Sequence, residues 1–328
     1  MHKKHEKSVC CKRKIIRFGN RRRQCVGCER TWRVWQKKTG RKRKRISIKF
    51  VESFFKHEIS SMLYLSRKKK VSETFVQNKI AKSRDLFLET TSWPKIPKGD
   101  LIIVADAVVE VVEKKWRTVY LILVRGVNES DAFILPPIIL DGIETSPGWH
   151  QAFIGVDSGI LARAKAVVSD GHRGIILEAL DRGWIIQRCH FHLLAAIQSR
   201  RSRSILTRHK DESLLTFKHV DIVLKCRDMD LVQQSLNILE EISWISTSRV
   251  LRKILCGFVT NHKDFRSYIY HPNLNLPVTN NTAESLASII ADLKRRMRGF
   301  PTMNSFAKWV TALLKFRQTI KCNKYQPS

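Results

Sequence analysis

The chain has 328 residues, which is enough for one sizeable hydrophobic core and one or two small appendages. Its apolar content of 43% is ordinary for a globular protein, but its formal net charge is +32. Residues 1–100 alone carry 30 Lys and Arg against 8 Asp and Glu. A basic block of this density attracts a polyanion through counterion release, which favours a nucleic acid over a solvated tail or a membrane contact.

Features of membrane and secreted proteins are missing from the sequence. The longest apolar stretches, Leu101–Val109, Val119–Val124 and Phe133–Leu140, have the length of strands, whereas a bilayer span needs roughly 20 residues. The first five residues lack the apolar core of a secretory signal. The eight cysteines are too sparse for a disulfide scaffold. We therefore expect a soluble intracellular protein without a membrane partner.

Segment 1–45 combines cysteines with basic runs. Cys25-Val26-Gly27-Cys28 is a C-x2-C pair on a glycine turn, which aims two thiolates at one tetrahedral ion and is half of a zinc knuckle. A second such pair is missing, but Cys10 and Cys11 can supply the other ligands, with His5 as an alternative fourth. The pattern predicts one structural Zn²⁺ site, and the alternative is that these thiols bind no metal. The segment ends in a basic run formed by Arg41, Lys42, Arg43, Lys44 and Arg45.

Residues 46–98 have the apolar spacing of helices. Ser72 is placed to cap a second helix after a basic link that contains Lys68 and Lys69. Such a pair can form a helix-turn-helix whose second helix enters the major groove of DNA, and simple packing of two helices explains the spacing equally well. The stretch Trp93–Gly99 breaks regular structure and predicts a domain linker.

The third segment, 99–320, predicts an α/β domain with a mixed sheet, because its elements follow the order β-β-β-α-β-α-β-α. Residues from about 197 to 275 lack strand signals and predict a helical insertion. A last helix opens near Glu284.

Three acids in this domain have the positions of metal ligands. Asp106 lies inside an apolar strand, Asp170 ends another strand, and Glu284 begins a helix. Buried carboxylates cost several kcal/mol unless they are paired or coordinate a metal, and ligand sites of α/β sheets gather at strand ends. An all-oxygen set suits Mg²⁺ or Mn²⁺, which assist phosphoryl transfer. Taken singly, each acid is explained as well by capping or a salt bridge.

The order of these acids, with three motifs around them, resembles the DDE transposases of the RNase H-like superfamily, in particular the Mutator-like group and related bacterial insertion-sequence transposases. The intervals of 64 and 114 residues between the acids suit a helical insertion before the glutamate. The N-terminal Cys25–Trp32 likewise resembles the second knuckle of zinc ribbons in insertion-sequence transposases. The three motifs are Val168-Ser169-Asp170-Gly171-His172-Arg173-Gly174, Gln187-Arg188-Cys189-His190-Phe191-His192, and Thr279-Asn280-Asn281-Thr282-Ala283-Glu284-Ser285 with Lys294-Arg295-Arg296-Met297-Arg298-Gly299.

The resemblance implies that Asp106, Asp170 and Glu284 hold two Mg²⁺ or Mn²⁺ ions and that the enzyme cuts DNA at transposon ends and transfers the strand into target DNA. The partners would be terminal inverted repeats and target DNA, bound by a homodimer or larger assembly because two ends must meet. The alternatives are a catalytically inactive, domesticated transposase that binds DNA, an RNase H-like nuclease and, more distantly, a zinc-ribbon transcription regulator.

Further residues are predicted to support the site or to bind DNA. Cys189 and His192 have the spacing of two zinc ligands, but without a second pair nearby a structural role beside the metal site is favoured. His172 and His190 are predicted to contact phosphate or order water, and Asn281 to support the glutamate. The predicted DNA contacts are Arg41, Lys42, Arg43, Lys44, Arg45, Lys68, Lys69, Arg295 and Arg296.

Overall fold

The computed structural model describes residues 10–19, 22–33, 47–201, 210–246 and 248–322. The predicted basic run Arg41–Arg45 and the alternative ligand His5 lie outside these residues. The chain divides into two compact units, Met1–Ile46 and Ser47–Ser328. None of the described helices is both long enough and apolar enough to cross a membrane.

The first unit contains a small antiparallel sheet of β1 (Ile15–Arg17), β2 (Arg22–Cys25) and β3 (Thr31–Arg33). Ile15 pairs with Cys25, so the C-x2-C turn that follows β2 lies at the same end as the cysteines that precede β1. Among the described residues of this unit, Cys25 is the one buried apolar side chain. A unit with so little core needs another source of stability, such as a metal ion.

The second unit is built on a mixed sheet, as the sequence predicts. Its strand order is β10-β6-β5-β4-β8-β9, with β7 also paired to β5. Strand β4 is antiparallel to β5 and parallel to β8, and β8 is parallel to β9. These strands are β4 (Leu101–Val112), β5 (Lys115–Gly126), β6 (Asp131–Ile134), β7 (Ile138–Asp141), β8 (Ala164–Ser169), β9 (Ile185–Arg188) and β10 (Thr319–Lys321).

Helices cover both faces of the sheet. They are α1 (Lys49–Phe55), α2 (Met62–Lys69), α3 (Glu73–Thr90), α4 (Ser146–Ile154), α5 (Ser158–Arg163), α6 (Arg173–Asp181), α7 (His190–Arg201), α8 (Lys210–Lys225), α9 (Met229–Ile245), α10 (Arg249–Phe265), α11 (Ser267–Tyr270), α12 (Asn281–Met297) and α13 (Met303–Arg317). A short 3-10 turn, Pro272–Leu274, follows α11.

Side chains of β4 alternate between two hydrophobic cores. Ile102 and Val104 pack with helices α1–α3, α12 and α13, whereas Ile103 and Ala105 pack on the other face with α4 and α6. This alternation follows from the two-residue period of a strand. It also assigns Asp106 to the face that α12 covers, because Asp106 has the same parity as Ile102 and Val104.

Helices α1–α3 are part of the first of these cores. The rings of Phe54 and Phe55 lie 5.7 and 6.0 Å from the ring of Trp309 in α13, in edge-to-face geometry. Residues 47–98 therefore share the compact unit that holds the sheet. The predicted division near residue 98 does not coincide with the division into compact units, which falls after Ile46.

Helices α7–α10 form a third apolar cluster. It begins with Leu193 and Ile197 of α7 and ends with Phe265 of α10, and its helices occupy the interval predicted to be a helical insertion.

Arg296, a predicted DNA contact, lies inside the second unit. Its side chain is only 10% exposed, and its guanidinium lies 4.1 Å from the ring centroid of Phe54. It donates to the backbone oxygens of Phe54, Ser60 and Ile59, which join α12 to the loop between α1 and α2. This burial argues against a DNA contact for Arg296. The neighbouring Arg295 is 79% exposed and keeps that role as a prediction.

We predict that Arg296→Ala lowers the free energy of unfolding by about 2–4 kcal/mol, because it removes the guanidinium packed on Phe54 and the donor to the Ile59 carbonyl. The matched variant Arg295→Ala is expected to change it by less than about 0.5 kcal/mol. Urea denaturation measures both values. Equal effects of the two substitutions would contradict the internal role of Arg296.

Candidate active site

The register of the sheet brings two of the candidate acids together. Val104 pairs with Val168 in the parallel ladder between β4 and β8. Asp106 and Asp170 each come two residues later, so they lie side by side where β8 ends. Helix α12 packs against β4 and carries Glu284 in its first turn. Three carboxylates that are distant in sequence therefore meet at one end of the sheet.

The pKa of Asp106 depends on its burial and on the charges of neighbouring carboxylates. Burial, followed by repulsion from Asp170 and then from Glu284 and Glu144, raises the pKa of Asp106 to about 7. The backbone N–H of Ala107, which donates to Asp106 Oδ1 at 2.9 Å, opposes this rise only in part. A divalent cation between these carboxylates would remove the repulsion, and their oxygens are the ligands that Mg²⁺ and Mn²⁺ prefer.

Asp170 is held by the turn that follows β8. Its Oδ1 accepts a hydrogen bond from the backbone N–H of His172 at 2.9 Å. Gly171 has a φ of +92°, and a Cβ there would lie 2.2 Å from Nε of Arg188. The absence of a side chain thus lets the Arg188 guanidinium approach the turn. Burial lowers the pKa of Arg188, and the favourable interaction with the charge of Asp170 opposes this shift only in part.

Glu284 faces the C-x2-H motif. Its Oε1 lies 3.4 Å from Nδ1 of His192, at ion-pair distance, but neither of these two buried atoms has a hydrogen-bond partner among the described residues. Cys189 completes a group of three possible ligand atoms that all lie within 4.8 Å of one another. His190, which lies between Cys189 and His192 in the chain, is not part of this group.

His190 has an internal role that excludes the predicted phosphate contact. Its side chain is buried, and its Nε2 lies 2.7 Å from the backbone oxygen of Phe265. Burial lowers the pKa of His190 to about 4, so the ring is neutral near pH 7 and donates from Nε2. Its backbone N–H donates to the oxygen of Val278 at 2.9 Å. His190 therefore joins α7 to the end of α10 and to the segment before α12.

The other predicted supporting residues differ in position. His172 caps α6 by accepting the Gly174 N–H on its Nδ1 at 3.0 Å, and that atom lies 3.8 Å from Oε1 of Glu144. Asn281 is exposed at the start of α12, whereas the preceding Asn280 is fully buried. Lys68 and Lys69 are exposed in the last turn of α2.

Sequence reasoning missed three residues of this region. Glu144 stands between β7 and α4, where its Oε1 accepts from Nε1 of Trp149 at 2.7 Å, and no motif signals it. Arg188 and Asn280 lie inside the recognised motifs. Their positions could have indicated both residues. Arg188 directly precedes Cys189, and Asn280 directly precedes the helix that carries Glu284.

The first unit contains a second cluster of possible ligands. One atom from each of Cys10, Cys11, Cys25 and Cys28 lies within 4.8 Å of all the others, and the sulfurs of Cys10 and Cys28 are 3.2 Å apart. A hydrogen bond with Cys28, together with the crowding of the other thiols, raises the pKa of Cys11 to about 12. This four-sulfur group is compatible with zinc, which binds such thiols as thiolates.

Comparison with known proteins decides the family. The family model described as "Transposase, Mutator family" matches residues 104–319, about two thirds of the chain. The chain belongs to the Mutator family of transposases. This match confirms the resemblance inferred from the motifs, and its range includes Asp106, Asp170 and Glu284. No curated protein matches this transposase closely enough to be counted as a relative.

We predict that Asp106→Asn stabilises the metal-free transposase at alkaline pH. The folded protein holds the pKa of Asp106 near 7, above its ordinary value of 3.8, so wild-type stability is lost as pH rises between these values. In a chelating buffer at pH 8, the variant should gain about 1–3 kcal/mol in unfolding free energy, because a pKa difference of one corresponds to about 1.4 kcal/mol. The gain should shrink toward pH 5. Asp181→Asn, at an exposed carboxyl of α6, serves as the control.

We also predict that Cys25→Ser removes one equivalent of zinc from the purified transposase, because the four-sulfur group loses its buried member. Cys256→Ser, at an exposed cysteine of α10, should leave the zinc content unchanged. Elemental analysis after dialysis measures both. An unchanged zinc content in Cys25→Ser would remove the N-terminal zinc site.

Proposed function

We propose that this transposase cleaves DNA at the ends of a transposable element and joins the freed strand to target DNA, with Asp106, Asp170 and Glu284 as its metal-binding residues. The observation that supports this proposal best is the convergence of the three carboxylates at the end of β8. Family membership supplies the general activity, and the acids supply a place for the chemistry.

We further infer that the second unit is an RNase H-like core. A hairpin of β4 and β5 continued by the parallel strands β8 and β9 supports this assignment, as does a late helix that brings Glu284 to the two aspartates. In this arrangement the strands that carry the two aspartates and the helix that carries Glu284 pack into one hydrophobic core, which contains Val104, Val168 and Leu286.

The oxygen-only donor set of the three acids fits two Mg²⁺ or Mn²⁺ ions. When bound, such ions supply an activated oxygen nucleophile and stabilise the leaving oxygen of an in-line phosphoryl transfer. The protein's own contribution is to hold the acids. The His172 N–H orients Asp170, the Arg188 guanidinium keeps positive charge near it, and the Ala107 N–H orients the partly buried Asp106.

DNA is the proposed partner of both units. The first unit, with its four-sulfur zinc group and the basic run Arg41–Arg45, would recognise terminal inverted repeats, while exposed Lys68, Lys69 and Arg295 would contact phosphates of the same or target DNA. Synapsis of two element ends requires a homodimer or a larger assembly on DNA.

The test is cleavage of a labelled duplex that carries the element's terminal repeat, in Mg²⁺ or Mn²⁺. Asp170→Asn and Glu284→Gln, which keep the shape of each side chain, should lower the cleavage rate by about 100-fold or more, because each removes a charge that the reaction uses. The control Asp181→Asn should cut at the wild-type rate. All four proteins should bind the duplex.

The outcomes separate the proposed function from its alternatives. Cleavage that survives Asp170→Asn would overturn the assignment of the acids. Tight binding without cleavage by the wild type in either metal would identify an inactive DNA-binding protein. Cleavage without joining to an added target duplex would identify a nuclease.

A further inference from the structure

Two side chains of the C-x2-H motif, Cys189 and His192, lie close to Glu284 and have no part in the proposed three-acid site. Nδ1 of His192 and Oε1 of Glu284 are 3.4 Å apart, and one possible ligand atom from each of Cys189, His192 and Glu284 lies within 4.8 Å of the other two. Ligands at the usual zinc distances of about 2.0–2.3 Å stand roughly 3.3–3.8 Å apart around a tetrahedral ion. The nitrogen–oxygen separation is thus that of one edge of such a tetrahedron.

Two of the three ligand atoms lack any other partner. Nδ1 of His192 and Oε1 of Glu284 are buried atoms without a hydrogen bond to the described residues. Buried polar atoms of native proteins are nearly always hydrogen-bonded, so an unpaired pair that points to one place calls for a missing partner. A cation that binds both atoms satisfies them together.

Backbone N–H groups surround the third ligand atom. Sγ of Cys189 accepts from the N–H of Asn280 at 3.4 Å, and the N–H groups of Phe191 and His192 also point to it. These donors come from the starts of two helices, α7 and α12, where N–H groups have no partner within the helix. These donors oppose only in part the effect of burial, which raises the pKa of the Cys189 thiol to about 11, and a bound cation would take the sulfur as a thiolate.

We propose that Cys189, His192 and Glu284 form a second metal site, which binds one transition-metal dication of the Zn²⁺ or Co²⁺ type. A set of one sulfur, one nitrogen and one oxygen suits these ions and not Mg²⁺, whereas the neighbouring carboxylates suit Mg²⁺ or Mn²⁺. Three protein ligands leave the fourth position open. The side chain of His192 is 41% exposed, so an ion can reach the site from solvent.

The site has a consequence for the neighbouring acids. The transition metal would bind Oε1 of Glu284, which leaves the other carboxylate oxygen available to the Mg²⁺ or Mn²⁺ ions proposed for the three acids. The ion would also tie the start of α12 to the junction of β9 and α7. The simpler alternative is an ion pair of His192 and Glu284 beside a buried thiol, with no metal.

Metal content of the full-length protein, measured without DNA, distinguishes these possibilities. The metal-free chain is dialysed against Zn²⁺ in excess Mg²⁺, and bound zinc is counted for the wild type, Cys189→Ser, His192→Gln and the control Cys256→Ser. We expect the wild type and the control to bind one equivalent more than Cys189→Ser or His192→Gln. His192→Gln changes a partly exposed side chain and therefore guards against loss of the fold, which circular dichroism checks.

Co²⁺ tests whether Cys189 is a ligand in a variant that lacks Cys25, the buried member of the N-terminal four-sulfur group. In a Cys25→Ser background, bound cobalt should retain a thiolate-to-metal charge-transfer band, and this band should disappear when Cys189→Ser is added. Equal metal binding by the wild type, Cys189→Ser and His192→Gln, with no band in the Cys25→Ser background, would overturn the proposal. Because no DNA is cut in these measurements, their failure leaves the proposed transposition chemistry untouched, and failure of cleavage leaves this site untouched.

Discussion

Holding three like-charged carboxylates at one partly buried place is the constraint on which the rest of the second unit depends. Burial and, after it, the repulsion of neighbouring carboxylates raise the pKa of Asp106 to about 7, so rigid elements must supply the opposing force. The parallel ladder of β4 and β8 fixes the two aspartates, and the apolar face of α12 fixes Glu284. Arg296 adds the bonds that hold α12 to the loop after α1, far from the acids that this helix positions.

The strand-to-helix junction at Cys189 fixes both ends of the long insertion between Asp170 and Glu284. The Cys189 N–H donates to Ser169 beside the second aspartate, and His190 bonds to Phe265 at the end of α10 and to Val278 before α12. Both ends of the insertion are thereby fixed at one point of the sheet. Its helices, which form their own core, can differ in length without moving Glu284.

The sequence predicted the features that repeat locally. Apolar strands revealed the mixed sheet, Ser72 was recognised as a helix cap, and the two aspartates stood out because Asp106 interrupts an apolar run and Asp170 ends one. Contacts between distant residues had no such signal. Nothing near Arg296 indicates that it meets Phe54, and the helical spacing of residues 47–90 does not show that Phe55 packs on Trp309. Local sequence patterns predict helices and strands, whereas the burial of a side chain depends on which helices and strands pack together.

Two kinds of possible metal-ligand set lie at different places along the described chain. Sulfur ligands occur in the four-cysteine group of the first unit and at the junction beside Cys189, whereas the site proposed for phosphoryl transfer contains carboxylates alone. Soft ligands bind an ion tightly and exchange it slowly, and hard ligands leave water positions open for reaction. Glu284 belongs to both proposed sites. Its two oxygens would therefore couple an ion that fixes α12 to the carboxylates that we propose act on DNA.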